Sequence, residues 1–140
     1  MYFNNISFIL HKPQLSENIG ASARAVKNFC FKKLIVINPK PIFPNDKILA
    51  TSVGAKDIIK NTKVYKTLEP AVQRVDCLIA TTSRFRNKNI KHIKLDDLNK
   101  IDFRKKIAFY LDPRPLVCQI MKLVMQIIQC KFLAILNLNH

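Results

Sequence analysis

The stretch Ser16-Glu17-Asn18-Ile19-Gly20-Ala21-Ser22-Ala23-Arg24-Ala25-Val26-Lys27-Asn28-Phe29, just after the apolar run Ile6-Ser7-Phe8-Ile9-Leu10, constrains the fold more than any other part of the chain. It reads as a strand, a loop and an opening helix. Ile19, Ala23, Val26 and Phe29 recur at i, i+4, i+7 and i+10, laying one apolar stripe along a helix that needs a sheet beneath it. Ser16 stands where a helix cap is expected. Gly20 and the small residues Ala21 and Ala25 leave room for another backbone, or a ligand, against the first turns. Ser22, Arg24, Lys27 and Asn28 fall on the remaining faces and are available for chemistry.

Further strand-like runs occur at Leu34–Ile37, Val64–Tyr65, Cys77–Ala80 and Lys106–Phe109. Between them, Ile48, Leu49, Val53, Ile58 and Ile59 give helical spacing over about Asp46 to Lys60, and Leu68 to Arg74 forms a short helix candidate. Strands alternating with helices, with few hairpin signals, predict an α/β domain with a mostly parallel sheet and helices on both faces. Ligands of such folds bind beyond the carboxyl ends of the strands, which points to the loops after Leu10, Ile37, Ala80 and Phe109. Gly20 and Gly54 are the only glycines, so neither a G-x-G-x-x-G dinucleotide loop nor a P-loop is present, which disfavours ordinary nicotinamide and ATP enzymes.

At 140 residues the chain amounts to about one domain. Its 24 lysines and arginines against nine acids leave a formal charge of +15, a field that attracts polyanions, nucleic acid above all; a merely soluble basic surface is the plainer alternative. Cys30, Cys77, Cys118 and Cys130 lack zinc-site spacing and are expected to be reduced and mostly buried. His11, His92 and His140 pair with no cysteine or carboxylate in a catalytic pattern, and no metal site is expected. The first apolar segment is too short for a secretory h-region, and Leu116 to Leu138 is interrupted by Gln119, Lys122, Gln126, Gln129 and Lys131, so a cytoplasmic protein without a membrane span is expected.

After the fourth strand, Thr81-Thr82-Ser83-Arg84-Phe85-Arg86 combines hydroxyls that can hold a polar ligand with two arginines flanking an aromatic ring. That set suits phosphate contacts and base stacking, although a basic surface loop would look the same. The lysines of Asn87 to Lys94 extend the charge too loosely to define a site.

Together, Ile6 to Pro13, the N-x-G-A-x-x-R core within Asn18–Phe29, Ile35-Val36-Ile37-Asn38-Pro39, Gly54-Ala55 and Thr81 to Arg86 resemble the SpoU/TrmH class of SPOUT RNA methyltransferases, and within it the TrmJ-like branch. The resemblance covers residues 5 to about 109. It implies an α/β knot fold, a homodimer, S-adenosylmethionine as methyl donor and RNA as partner, with methylation of a ribose 2′-hydroxyl in the tRNA anticodon loop. By position it implies Asn18 and Arg24 as catalytic residues and Arg24, Lys27, Arg84 and Arg86 as RNA contacts. Thr81, Thr82, Leu136 and Asn137 are then expected at the donor. A guanidinium with a pKa above about 12 is a poor base, so Arg24 is read as a donor that orients the hydroxyl, with Asn18 helping to fix it.

The pattern departs at the C-terminus. Where the family carries F-G-x-E-x-x-G-L, this chain reads Tyr110-Leu111-Asp112-Pro113-Arg114-Pro115-Leu116-Val117-Cys118-Gln119-Ile120-Met121. Suitable codons for these residues, read from the third base, spell Phe-Gly-Pro-Glu-Ala-Ser-Gly-Leu, which suggests a single-base frameshift near Tyr110. Ala134-Ile135-Leu136-Asn137-Leu138 resembles the family's later S-L-N-L. Alternatively the tail is an authentic helix, with Gln119, Lys122, Gln126 and Gln129 as its polar stripe. The expected organisation is a methyltransferase-like domain over residues 1–109 and an aberrant tail over 110–140 that leaves the knot incomplete. Whether the chain retains activity, is a non-catalytic basic RNA-binding module, or is a gene remnant is left open by the residues alone.

Overall fold

The computed structural model describes residues 2–81 and 93–111. Five strands, β1 Ile6–His11, β2 Lys33–Ile37, β3 Lys63–Tyr65, β4 Cys77–Ala80 and β5 Ile107–Leu111, form one sheet in the order β3-β2-β1-β5-β4, parallel at every pairing. The helices are α1 Ser16–Asn28, α2 Asp46–Thr51, α3 Lys56–Asn61 and α4 Leu68–Val72, with short 3-10 helices at Tyr2–Asn5 and Leu95–Lys100.

β1 lies at the centre, and its residues through Leu10 are buried. A parallel strand covered on both faces is apolar at nearly every position, which is why Ile6-Ser7-Phe8-Ile9-Leu10 does not alternate. Ile6, Phe8 and Leu10 join the core beneath α1 and α3. Ile9 points the other way, into a smaller core with Ile37, Ala71 and Ala108. Phe8 packs edge-on against Phe31, with centroids 5.1 Å apart, and stacks on Phe109 at 5.7 Å.

From β1 the chain steps to β2 and β3 in one direction, with α1, α2 and α3 on one face. It then reverses, and α4 crosses to the opposite face on its way to the far edge strand β4. Right-handed crossovers require that change of face whenever the direction of travel reverses. Helices on both faces therefore follow from the strand order.

All five expected strands are present, with β1 one residue longer and β5 continuing to Leu111, two residues beyond the expected domain boundary. The expected helical segment over 46–60 is two helices, because Gly54 adopts φ +79° between them. Ser16 is not the cap of α1. It is the first helical residue, and the cap position falls to Leu15, which makes no side-chain cap bond. Cys30 is exposed and Cys77 half-buried, against the expectation of buried thiols. Cys118, Cys130 and the remainder of residues 112–140, including the proposed frameshifted tail and the knot, lie outside the described residues.

Candidate active site

The carboxyl ends of the strands build a ledge. Lys12 and Asn38 follow β1 and β2 with φ of 49° and 44°, and each donates its backbone N–H sideways to the next strand. Lys12 N bonds the Ile37 carbonyl and Asn38 N the Tyr65 carbonyl, both at 2.8 Å. Lys40 N reaches the Pro13 carbonyl at 3.0 Å, tying the loops after β1 and β2 together. On the other side of β1, the His11 and Tyr110 rings stand 5.2 Å apart. Next to them, Thr81 donates its backbone N–H to the Tyr110 carbonyl at 2.9 Å and its hydroxyl to the same oxygen at 3.3 Å.

α1 rises from this ledge and is clamped along one side. Asn45 caps α2 by accepting the Ile48 N–H at 2.8 Å, and its amide donates to the Ser16 hydroxyl at 2.9 Å. Lys47 pairs with Glu17 at 2.7 Å, and Lys27 pairs with Asp57 of α3. The Lys47 hydrogen bond holds the Glu17 carboxyl below its ordinary range, and the Lys27 hydrogen bond does the same for Asp57. Between these ties lies Gly20, where a β-carbon would come within 2.9 Å of the Ile48 carbonyl oxygen. The close approach permitted by Gly20 is thus to the α2 backbone.

With α1 held in this way, its buried face is Ile19, Ala23 and Val26, with Phe29 packed at the margin of the core. Arg24 is exposed and Asn18 half-buried. Six residues along a helix place the two about 9 Å apart in height and about 120° apart around the axis. Among the described residues no hydrogen bond joins them; the Asn18 carbonyl instead accepts from the Ser22 hydroxyl at 2.6 Å. Lys27 is brought to Asp57 rather than left open. Thr81 stands at the carboxyl edge of β4, whereas Thr82, Arg84, Arg86, Leu136 and Asn137 lie outside the described residues. Sequence reasoning passed over Asn45, although an asparagine before Asp46 and a helical run is itself a cap signal. It also missed Tyr110, whose partners His11 and Thr81 are distant in the chain. Among the described residues there is no cluster of three or more potential metal ligands, and no helix is long and apolar enough to cross a membrane.

Residues 5–111 match the model of the SpoU rRNA Methylase family. The chain is 35% identical over 91 residues to the tRNA (cytidine-2′-O-)-methyltransferase TrmJ of Methanocaldococcus jannaschii, a match covering 64% of this chain and 39% of that protein. It is 34% identical over 107 residues to the TrmJ of Sulfolobus acidocaldarius, covering 74% of this chain and 45% of the relative. It thus spans less than half the length of these relatives. Among solved structures, a probable methylase family protein of Haemophilus influenzae superposes with a TM-score of 0.74 at 23% identity, covering 89% of this chain and 66% of that one. TrmJ of Z. mobilis superposes at 0.69 and 21% identity, over 86% and 67%. The SpoU methyltransferase AviRb of Streptomyces viridochromogenes, solved in complex with AdoMet, superposes at 0.54 and 12% identity, over 79% and 42%. The family model spans the chain from β1 through β5, well over half of its length, so the chain belongs to the SpoU rRNA Methylase family.

Proposed function

We propose that this chain acts as a TrmJ-like tRNA ribose 2′-O-methyltransferase using S-adenosylmethionine, in the cytoplasm and as a homodimer. The observation that carries the reading is Arg24. Its guanidinium is exposed on a helix fixed by α2 and α3, and it has no hydrogen bond or ion pair among the described residues, whereas Lys27 one turn on is paired. A fixed, uncommitted fork of donors suits a phosphate and a neighbouring ribose hydroxyl.

Of the residues assigned to the donor, Thr81 belongs to the described part. Both of its donors go to the Tyr110 carbonyl, which fixes Thr81 at the carboxyl edge of β4 where a donor would lie. S-adenosylmethionine, when bound, would supply an electrophilic methyl on a sulfonium. Its methyl would pass to the ribose 2′-oxygen, with the carbon–sulfur electron pair left on sulfur and the hydroxyl proton lost to water. Arg24 contributes by holding the 2′-oxygen and the adjacent phosphate in line, so positioning supplies much of the rate. Asn18 lies on another side of the helix and makes no hydrogen bond to the guanidinium among the described residues. Arg24 stands about 12 Å along the axis from the helix start, a span that favours a second copy of the chain completing the pocket.

The test is transfer of labelled methyl from S-adenosylmethionine to tRNA, with nucleoside analysis for 2′-O-methylation. Wild type is expected to label the RNA and Arg24→Ala to lose at least about 100-fold in rate, the scale of losing a positioned transition-state donor, while melting at an unchanged temperature. Salt-sensitive tRNA binding with neither donor binding nor methyl transfer would instead identify a non-catalytic RNA-binding module, the reading that the +15 charge alone supports.

A further inference from the structure

We propose that the edge of the sheet where the strands begin, remote from the carboxyl ledge, is a second RNA-contacting surface that engages phosphates. The inference rests on the RNA reading above and extends it to a face that the family pattern does not assign. Because the sheet is wholly parallel, every strand starts at this one edge. Lys33 opens β2, Lys63 opens β3, and Lys106 immediately precedes β5; Lys32, Arg104 and Lys105 lie in the segments leading in, and all six are exposed.

The strand order fixes their sequence in space as β3, β2, β1, β5. At about 4.8 Å per strand, the row from Lys63 to Lys106 extends about 15 Å. A nucleic-acid strand carries roughly one phosphate per 3.4 Å of axis, so the row is long enough to meet about four. The turn before β5 is held in place: Asn5 Nδ2 donates to the Arg104 carbonyl at 3.0 Å, and Lys106 N donates to Asp76 Oδ2 at 2.9 Å. The carboxylates near this edge are engaged: Asp76 accepts from Lys106 N, Asp102 pairs with the Arg104 guanidinium at 3.0 Å, and Asp57, which shares a hollow with Lys32, pairs with Lys27. Among the described residues the ammonium groups of Lys32, Lys33, Lys63, Lys105 and Lys106 have no ion pair. Lys27, Lys47 and Lys100, by contrast, are all paired.

Continuity points to RNA as the occupant. α1 descends from the ledge toward this edge, carrying Arg24 and Lys27 on its lower half and delivering the chain to Lys32 and Lys33. An RNA laid on Arg24 therefore has a cationic path onward.

The experiment measures binding of a tRNA transcript to the full chain by fluorescence anisotropy across a salt series. It compares wild type with Lys33→Gln/Lys105→Gln/Lys106→Gln and with the charge-matched control Lys56→Gln/Lys66→Gln/Lys94→Gln. The edge variant is expected to bind about tenfold more weakly, with a log–log salt slope shallower by about two to three, since each lost phosphate contact removes roughly 0.7 to 0.9. The control is expected to keep the wild-type slope. An edge variant with the wild-type slope overturns the proposal alone, as does a control that weakens equally, which would mean net charge and not place. Wild type that fails to bind tRNA but binds phosphatidylserine vesicles overturns both this inference and the RNA reading.

Discussion

A β-carbon at position 20 would lie 2.0 Å from Thr51 Oγ1 and 2.8 Å from Thr51 Cβ, with the Ile48 carbonyl oxygen at 2.9 Å. Gly20→Ala is therefore expected to push α2 away and cost about 1–3 kcal/mol, the usual range for overpacking, as read by urea denaturation. Adding Thr51→Ala is expected to recover only part of the loss, because Thr51 Cβ and the Ile48 carbonyl remain in the way. Glu17 and Asp57 respond differently, through pH. Hydrogen bonds from Lys47 and Lys27 lower their folded-state pKa values from ordinary values of 4.5 and 3.8. A depressed folded pKa means stability that is present above the ordinary value and lost as pH falls through the folded one. Wild type is thus expected to exceed Glu17→Gln/Asp57→Asn in urea stability at neutral pH, by a small margin because the pairs are exposed. The gap should close as pH falls below the lowered folded values; one that persists unchanged in acid would show that the pairs act by packing.

At the scale of elements, Asn45 serves two helices at once. It caps α2 through its side-chain oxygen and holds the start of α1 through its amide. Asn45→Ala is expected to cost about 1 kcal/mol or somewhat more, a melting-point drop of roughly 4 °C for a domain of this size. Asn45→Asp keeps the acceptor for Ile48 N and is expected to recover most of that loss in a thermal melt, at neutral pH, whereas equal loss in both variants would assign the effect to the amide's bonds to Ser16 and the Ile42 carbonyl. The break between α2 and α3 has a different origin. Ile48, Leu49, Val53, Ile58 and Ile59 keep helical spacing through it, but Gly54 takes a left-handed conformation and Val53 is left 67% exposed. Spacing reports which residues seek a core, not whether the backbone between them stays helical.

For the molecule as a whole, Phe8 joins early and late parts of the chain, packing on Phe31 before β2 and on Phe109 in β5. Phe8→Ala is expected to cost about 3–5 kcal/mol, a large share of the roughly 5–15 kcal/mol that holds a domain of ordinary size together. Urea denaturation within 1 kcal/mol of wild type would contradict that central role. Much of this architecture was legible beforehand. Each of the five strands was marked by a local apolar run, whereas the burial of β1 on both faces, Ser7 included, emerged only from its central place in the sheet. The N-x-G-A-x-x-R core located the helix that carries Asn18 and Arg24, since one turn of helix is enough to define which residues share its face. Other features depended on partners far away in the chain. The first residues of α1 leave helix-end groups that the sequence assigned to Ser16, but the contact that fixes that end comes from Asn45, across two loops. Tyr110 read as the onset of a disrupted tail, whereas it pairs in register with Ile9 and Ala80 and accepts both donors of Thr81. Periodicity, turn residues and charge are properties of neighbours in sequence, and from them the chain alone determined its strands, its main helix face and its basic character. The clamp on α1 and the cationic edge at the strand starts were decided only by the tertiary structure, because parallel pairing brings to one edge residues that no local pattern connects.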